Sequence, residues 1–286
     1  MAESNLITKA DLARAREIEF TQMFVGSIKK LIEAMGVTRK IAKQAGTTLK
    51  VYKATGTLQD GSVAEGENIP LSKYKTEGEI VGEITLKKWA KAASAEAIIE
   101  RGFDQAVEDT TDAMLRDIQK GIRREFFDFL ATGTGVATGT SFQTALANVW
   151  GQLQVLFEDD EVASVYFMNP LDVAEYLGTA NITMQNAFGM TYIENFLGLG
   201  TVILNASVPK GKIYGTAAQN IILYYVPVNG ADLGEAFSFT ADETGLIGIH
   251  EEADYGNMTC RDTVVNGTAF LVERRDGVVV GTISAG

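Results

Sequence analysis

The chain contains one histidine, His250, and one cysteine, Cys260. These are the side chains that could serve as base and nucleophile, or as two ligands of a zinc ion. A Ser-His-Asp or Cys-His centre would have to use His250. Zinc sites usually draw on more His and Cys than this chain holds. His250, in "GIHEEADYG", is therefore read as structural or incidental, and Cys260 as a small buried or half-buried thiol. A single cysteine also excludes an intrachain disulfide.

Other chemistry is equally thin. "GTGVATGTS" (133–141) invites a phosphate-loop reading. It lacks the Gly-Lys-Ser/Thr ending, and a helix rather than a strand leads into it, so it is read as a linker. No Gly-x-Ser-x-Gly elbow occurs. Two acidic clusters, Asp159-Asp160-Glu161 after a helix and Glu251, Glu252 and Asp254 flanking a turn, lack the ligand spacing of a calcium loop. They read as solvated acidic faces. Any two carboxylates could meet in space for acid/base work, and no pair is singled out. No cofactor or metal is expected. Lysines beside aromatics occur in Lys73-Tyr74-Lys75 and Lys87-Lys88-Trp89. In the hairpin these lysines are expected to face acids at Glu65, Glu67, Glu77, Glu79 and Glu83. Mixed-sign charge on an exposed arm suits protein–protein register better than phosphate binding.

The elements that would carry these residues follow from periodicity. Residues 1–10 are polar and expected to be loose. Phe20, Phe24, Ile28, Leu31, Ile32 and Met35 repeat at helical spacing, with Gly36 as the stop. That stripe needs a surface to dock on. Residues 46–88 hold two period-two runs, around Leu49–Tyr52 and Ile80–Leu86, separated by turn residues at Gly56, Asp60-Gly61, Gly66 and Pro70. This predicts an elongated hairpin. A two-stranded ribbon is marginal alone, so its order is expected to come from outside. Residues 94–133 predict one uninterrupted helix, capped by Ser94, with Ile99, Phe103, Val107, Thr110, Met114, Ile118, Ile122 and Phe126 on one stripe. At 1.5 Å per residue it would be on the order of 55 Å long. Then come a helix over 142–159, a strand over 162–168, a short helix over 169–178 with Asn169 as cap, and strands in "TVILNAS", "GKIYGTA" and "NIILYYVP". The last segment, from Phe237 on, is strand and turn, expected to form a sheet against the long helix.

Composition bounds the rest. The 286 residues are 46% hydrophobic and 22% charged, ordinary for a globular protein. The net charge of -12 argues against a general nucleic-acid binder. The start of the chain has no apolar signal region, and the longest apolar run, 221–228, is too short to span a bilayer. A reducing cytoplasm is the expected place of synthesis.

"LIEAMGVTRKIAKQAGTTLKVYK", "VAEGENIPLSKYK", "ITLKKWAKAASAEAI", "NPLDVAEYL" and "DETGLIGIHEEADYGNMTCRDT…FLVERRDGVVVGTI" occur in this order from about residue 30 to residue 283. Together they resemble the major capsid proteins of tailed bacteriophages, in particular phages of Gram-positive bacteria. The resemblance implies an α+β chain with the Hong Kong 97-like capsid fold. Residues 1–45 would be an N-terminal arm, 46–92 an extended loop, 93–134 the peripheral domain with its spine helix, 135–235 an axial α/β domain, and 236–286 the peripheral sheet and C-terminus.

What it implies functionally is a non-enzymatic shell protein of the virion. It would assemble in the host bacterial cytoplasm as hexamers and pentamers of an icosahedral head. The head encloses DNA without specific binding and touches no membrane. Arm and loop would both be covered by sister copies. The extended loop lies across a neighbouring subunit in this family, which places Glu65, Glu67, Lys73 and Lys75 at that contact. A scaffolding protein and a portal are expected partners, and a decoration protein a further one. Relatives with a long N-terminal scaffold region differ from this short arm, so either a separate scaffold or a mature form is implied. Relatives with a lysine–asparagine crosslink would find loop lysines and Asn266 here. Two alternatives stay open: an encapsulin-like compartment in the same fold, and an enzyme with a pocket in the α/β region.

Overall fold

Helix α1 (Lys9–Ala34) begins the part of the chain that the computed structural model describes, which is residues 9–158, 162–179 and 184–284. Of the polar start, residues 1–8 lie outside the described residues, and Lys9 and Ala10 already belong to the helix. All six apolar residues of the expected stripe are buried, Phe24 and Ile28 completely. The helix ends as a Schellman motif. Gly36 takes a φ of 64°, its N–H donates to Glu33 O at 3.0 Å, and Val37 N donates to Ile32 O at 2.9 Å.

Strand β1 (Arg39–Ala42) leads to the hairpin β2 (Thr48–Thr57) and β3 (Lys73–Glu83), which pair only with each other. Strand β4 (Lys87–Ser94) leaves the ribbon for another sheet. The ribbon therefore stops at Glu83 and does not run to 92.

The helix expected over 94–133 is not continuous. It is α2 (Ala95–Arg101), a π turn over Asp104–Glu108, and α3 (Asp109–Leu130). Gly102 breaks it with φ 83° and ψ 156°, a conformation open to glycine and strained for other residues. Ser94 caps α2, its Oγ accepting from Ala97 N at 3.3 Å. The break takes Ile99 off the buried stripe and leaves it 84% exposed. Helix α3 alone is about 33 Å long.

"GTGVATGTS" is not a linker. Gly135–Gly139 form β5, an edge strand of the largest sheet. Its glycines allow a close approach: a Cβ on Gly139 would sit 2.2 Å from Ala145 N. That space lets α4 (Phe142–Leu156), capped by Ser141, pack at once on the sheet. Gly139→Ala should lower stability by about 1–3 kcal/mol, because backbone has to move. Urea unfolding of the unassembled chain measures this.

The remaining elements are β6 (Ser164–Met168), α5 (Pro170–Thr179), β7 (Gln185–Ala187), β8 (Met190–Phe196), β9 (Gly200–Leu204), β10 (Lys212–Ala217), β11 (Ile221–Tyr225), α6 (Ala231–Ala236), β12 (Thr240–Ala241), β13 (Ile247–Asp254), β14 (Thr259–Asn266), β15 (Ala269–Val272) and β16 (Val278–Ile283). Asn169 caps α5 as expected, accepting from Leu171 N at 3.0 Å. The hairpin of β7 and β8 was not expected. Phe188 and Gly189 make its two-residue turn, both with positive φ.

Four sheets result. Their orders are β5-β16-β10-β6-β9-β8-β7, β12-β13-β14-β4, β1-β11-β15 and β2-β3. The terminal segment therefore divides. β13 and β14 join β4 in the four-stranded sheet. β15 pairs with β11 and meets α3, Phe270 lying 5.5 Å from the Phe126 ring. β16 enters the seven-stranded sheet instead, between β5 and β10. Val278 and Val279 are fully buried there.

Two main cores follow. In one, α1 and α3 pack with the inner residues of the four-stranded sheet and with Phe167, Phe188 and Phe270. In the other, Leu146, Val149 and Leu153 of α4 cover Tyr166, Ile213 and Val279. The arm is thus part of the chain's own core. The expectation that sister copies cover it is corrected: its stripe from Phe20 to Met35 shares a core with Ile247, Ile249 and Val264 of the same chain, while Ile18 and Met23 stay exposed.

Candidate assembly surface

Among the described residues, the ribbon is held by one ion pair along β3 and otherwise at its root. Leu49 and Ile84 are buried there against Val226, with Leu86, Tyr224 and Leu271 around them. Gly46 N donates to Ile84 O, and Ile84 N to Thr47 O. Arg275 Nη1 reaches Glu79 Oε1 at 3.2 Å. Beyond Glu79 the strands run outward by about 20 Å more, at roughly 3.3 Å per residue.

Register decides the character of the two faces. Directly opposed residues of an antiparallel pair share a face. Gly56 opposes Tyr74, Tyr52 opposes Gly78, and Lys50 opposes Ile80. Each tyrosine ring lies over the glycine opposite: a Cβ on Gly56 would fall 2.3 Å from Tyr74 Cδ1, and one on Gly78 would fall 3.0 Å from Tyr52 Cε1. One face thus shows Tyr52, Tyr74 and Ile80, each more than half exposed. The other shows Thr55, Thr57, Lys73, Lys75, Glu77 and Glu79.

The four expected contact residues are all exposed. Glu65 and Glu67 lie in the loop 58–72, and Lys73 and Lys75 open β3. The lysines do not meet those acids. Lys75 Nζ pairs with Glu77 Oε1 at 2.6 Å along its own strand, both side chains well exposed. Glu83 opposes Thr48 instead.

The residues with catalytic potential are separated or already occupied. On the four-stranded sheet His250 opposes Thr263, and Cys260 opposes Ala253. That parity puts His250 and Cys260 on opposite faces, so no Cys-His pair exists. Cys260 is buried, with Sγ 3.5 Å from Glu251 Oε1. Glu251, Cys260 and Asp262 do come within 4.8 Å of one another. Their carboxylates are taken by cations, however. Arg16 Nη2 binds Glu251 at 2.5 Å, and Lys91 Nζ binds Asp262 at 2.8 Å. Thr111 also donates to Asp262. Buried Glu17 accepts from Glu251 N and from Thr240 Oγ1. The cluster is a set of ion pairs and hydrogen bonds that fasten α1 and α3 to the sheet and tie β4 to β14 within it. Glu251, Glu252 and Asp254 end β13 just before the turn at 255–258, as expected, and only Glu252 and Asp254 share the outward face. Asp159-Asp160-Glu161 lies outside the described residues. Burial pushes the Tyr166 phenol up to about 12, which keeps it neutral. Asn266 is fully buried, donating to Leu246 O and Thr268 Oγ1 at 2.8 Å each. It is not placed for a crosslink to another subunit.

Among the described residues no helix is long and apolar enough to cross a membrane. No protein-family model matches the sequence, and a search of curated proteins finds no match. Solved structures do match. The cyanophage A-1(L) capsid chain aligns with a TM-score of 0.56 at 10% identity, over 90% of this chain and 93% of that one. A chain of the holo-SrpI encapsulin complex from Synechococcus elongatus PCC 7942 gives 0.53 at 10% identity, over 87% and 86%. The capsid of an empty GTA particle gives 0.53 at 10% identity, over 99% and 94%. At such identities the likeness is one of fold, and it is the Hong Kong 97-like capsid fold.

Proposed function

We propose that this chain, having the Hong Kong 97-like capsid fold, is the major capsid protein of a tailed bacteriophage. The observation that carries it is the ribbon: rooted at one end, with tyrosines on one face and mostly charged residues on the other, and largely uncovered among the described residues apart from the Arg275–Glu79 pair. A surface of that kind completes itself on a second copy. Heterologous contacts of one patch with a different patch close into rings when the rotation allows, here hexamers and pentamers of an icosahedral head. Each contact can be weak because every subunit makes several.

In this reading the ribbon 48–83 is the extended loop. α3 with the four-stranded sheet forms the peripheral domain, and α4 with the seven-stranded sheet the axial domain. Glu65, Glu67, Lys73 and Lys75 lie at the contact with a neighbour, setting register more than affinity. The chain acts without catalysis. A scaffolding protein, a portal and a decoration protein are its further partners. It assembles in the host bacterial cytoplasm and ends in the virion. The acidic balance suits a wall that does not grip the enclosed DNA.

An encapsulin-like compartment is the second reading, favoured by the near-equal likeness to the encapsulin chain. Portal and terminase genes beside this one support the phage, and a cargo-enzyme gene supports the compartment. Electron microscopy of the purified chain tests the shared premise. Shells, tubes or capsomer rings are expected across a range of salt and concentration. A monomer under every condition refutes it.

A further inference from the structure

Helix α1 and the start of α3 stand over the inner face of the four-stranded sheet and enclose a pocket of about 250 Å³. Three buried carboxylates line it. They are Glu17 of α1, Glu251 of β13 and Asp262 of β14, with side chains 9%, 6% and 3% exposed. Glu19, Glu108 and Asp112 line it too and are exposed, so they form its rim. Arg16 is the one cation on the wall, and Lys91 reaches Asp262 from β4.

The buried charges do not balance. Arg16 takes Glu251 through Nε and Nη2, and Lys91 takes Asp262 Oδ2. Among the described residues, Glu17 is left with neutral donors, the Glu251 N–H and the Thr240 hydroxyl. His250 Nδ1 stands 3.8 Å away, outside hydrogen-bond reach. A buried carboxylate without a cation is costly. A second sign is independent of that count. Asp262 Oδ1 is buried and has no hydrogen-bond partner, although Oδ2 of the same group binds both Lys91 and Thr111. An orphaned buried acceptor on a pocket wall is accounted for by a bound water or ion. The surplus of negative charge selects the ion.

The donors left over are carboxylate oxygens, each with more than one acceptor site. Cys260 is not on the pocket wall, which leaves an all-oxygen set. Such donors suit calcium, magnesium or manganese rather than zinc or copper. Magnesium demands a near-ideal octahedron, whereas calcium accepts flexible arrangements. A set drawn from α1, the sheet and the start of α3 favours calcium. The volume holds the ion with several waters, at about 30 Å³ for each water. We propose that this pocket binds one divalent cation, calcium by preference, held by Glu17 and Asp262 Oδ1, with Glu108 and Asp112 reaching it through water. The ion ties α1 to the sheet and to the start of α3 within one subunit, whether or not the chain forms shells.

Equilibrium dialysis of the chelator-treated, unassembled full chain against calcium chloride tests this. A single tightly held calcium per chain is expected. At about a hundred times its dissociation constant, calcium should raise the melting temperature by at least about 4 °C. Asp262→Asn should abolish tight binding, but it also breaks the Lys91 pair, so a second variant is needed. Glu108→Gln with Asp112→Asn removes two exposed acids and leaves the fold intact. It should weaken calcium binding by at least about tenfold. A chain of net charge -12 also attracts cations diffusely. Glu65→Gln with Glu67→Gln, far from the pocket, is the control and should change the affinity by less than about twofold. If no calcium binds, or if the rim variant and the control lose affinity alike, the pocket is no ion site and the proposal falls.

Discussion

A chain lacking residues 58–72, with Thr57 joined to Lys73 through Asn-Gly, will fold normally and form no shells. The folding half follows from what the loop touches. Leu58, Ile69 and Leu71 are each more than three-quarters exposed. The loop's hydrogen bonds are local, such as Gln59 N to Ser72 Oγ at 3.0 Å and Glu67 N to Ala64 O at 3.1 Å. Removing such a surface segment changes stability by no more than about 0.5 kcal/mol. Thr57 and Lys73 are already paired, and a two-residue Asn-Gly turn matches the twist of the strands it joins. The assembly half follows from multiplicity. Every copy loses the same contact, so small losses compound around each ring and across the shell. An increase of at least about a hundredfold in the assembly concentration is expected, equivalent to about 2.7 kcal/mol per contact. Light scattering and electron microscopy read the shells, and circular dichroism reads the fold. Shells of normal form from the shortened chain would show that the loop has no part in assembly.

How much of this was legible in the sequence depends on how local each determinant is. The helices at α1, α4 and α5 and the strands at β6, β9, β10 and β11 follow from periodicity and capping residues close in sequence. The spine break does not. The apolar stripe runs across Gly102 at helical spacing, and a glycine costs a helix only about 1 kcal/mol, so nothing local separates a tolerated glycine from one with positive φ. β5 is hidden for a related reason. Its Gly and Thr content reads as linker, and only the close approach of α4 makes those residues a strand. The destination of β16 is set by β5 and β10, both distant in sequence. Phe188-Gly189 makes a tight turn without the usual Asn-Gly signal, because the Phe188 ring is held in the core and Arg123 Nη1 donates to its carbonyl.

The candidate surface divides in the same way. That the ribbon buries little of itself is visible in the sequence from its polar, alternating residues. Its aromatic face is not, because Tyr52 and Tyr74 share a side only in the register that sets them opposite Gly78 and Gly56. The separation of His250 from Cys260 likewise depends on strand parity rather than spacing.

Phe24→Ala will destabilise the unassembled chain by about 3–5 kcal/mol, the usual cost of removing a buried phenylalanine. The prediction separates two roles for α1. An arm that docks only on sister copies would leave the isolated subunit's stability almost untouched and would weaken assembly instead. Here Phe24 is fully buried within its own chain. Its ring meets Phe188 edge to face at 5.8 Å, and Ile28, Ile247 and Ile249 belong to the same cluster. Phe188 adds to the cost. Its backbone holds a positive φ, a conformation that bulky residues adopt only when their surroundings enforce it. Removing Phe24 withdraws part of that support, so the loss belongs at the upper end of the range. Urea unfolding at concentrations below assembly gives the number, with an unchanged denaturant slope as the sign that the whole body still unfolds together. A loss under about 1 kcal/mol would mean that α1 is detached in the free subunit, and that its apolar face is reserved for neighbours after all.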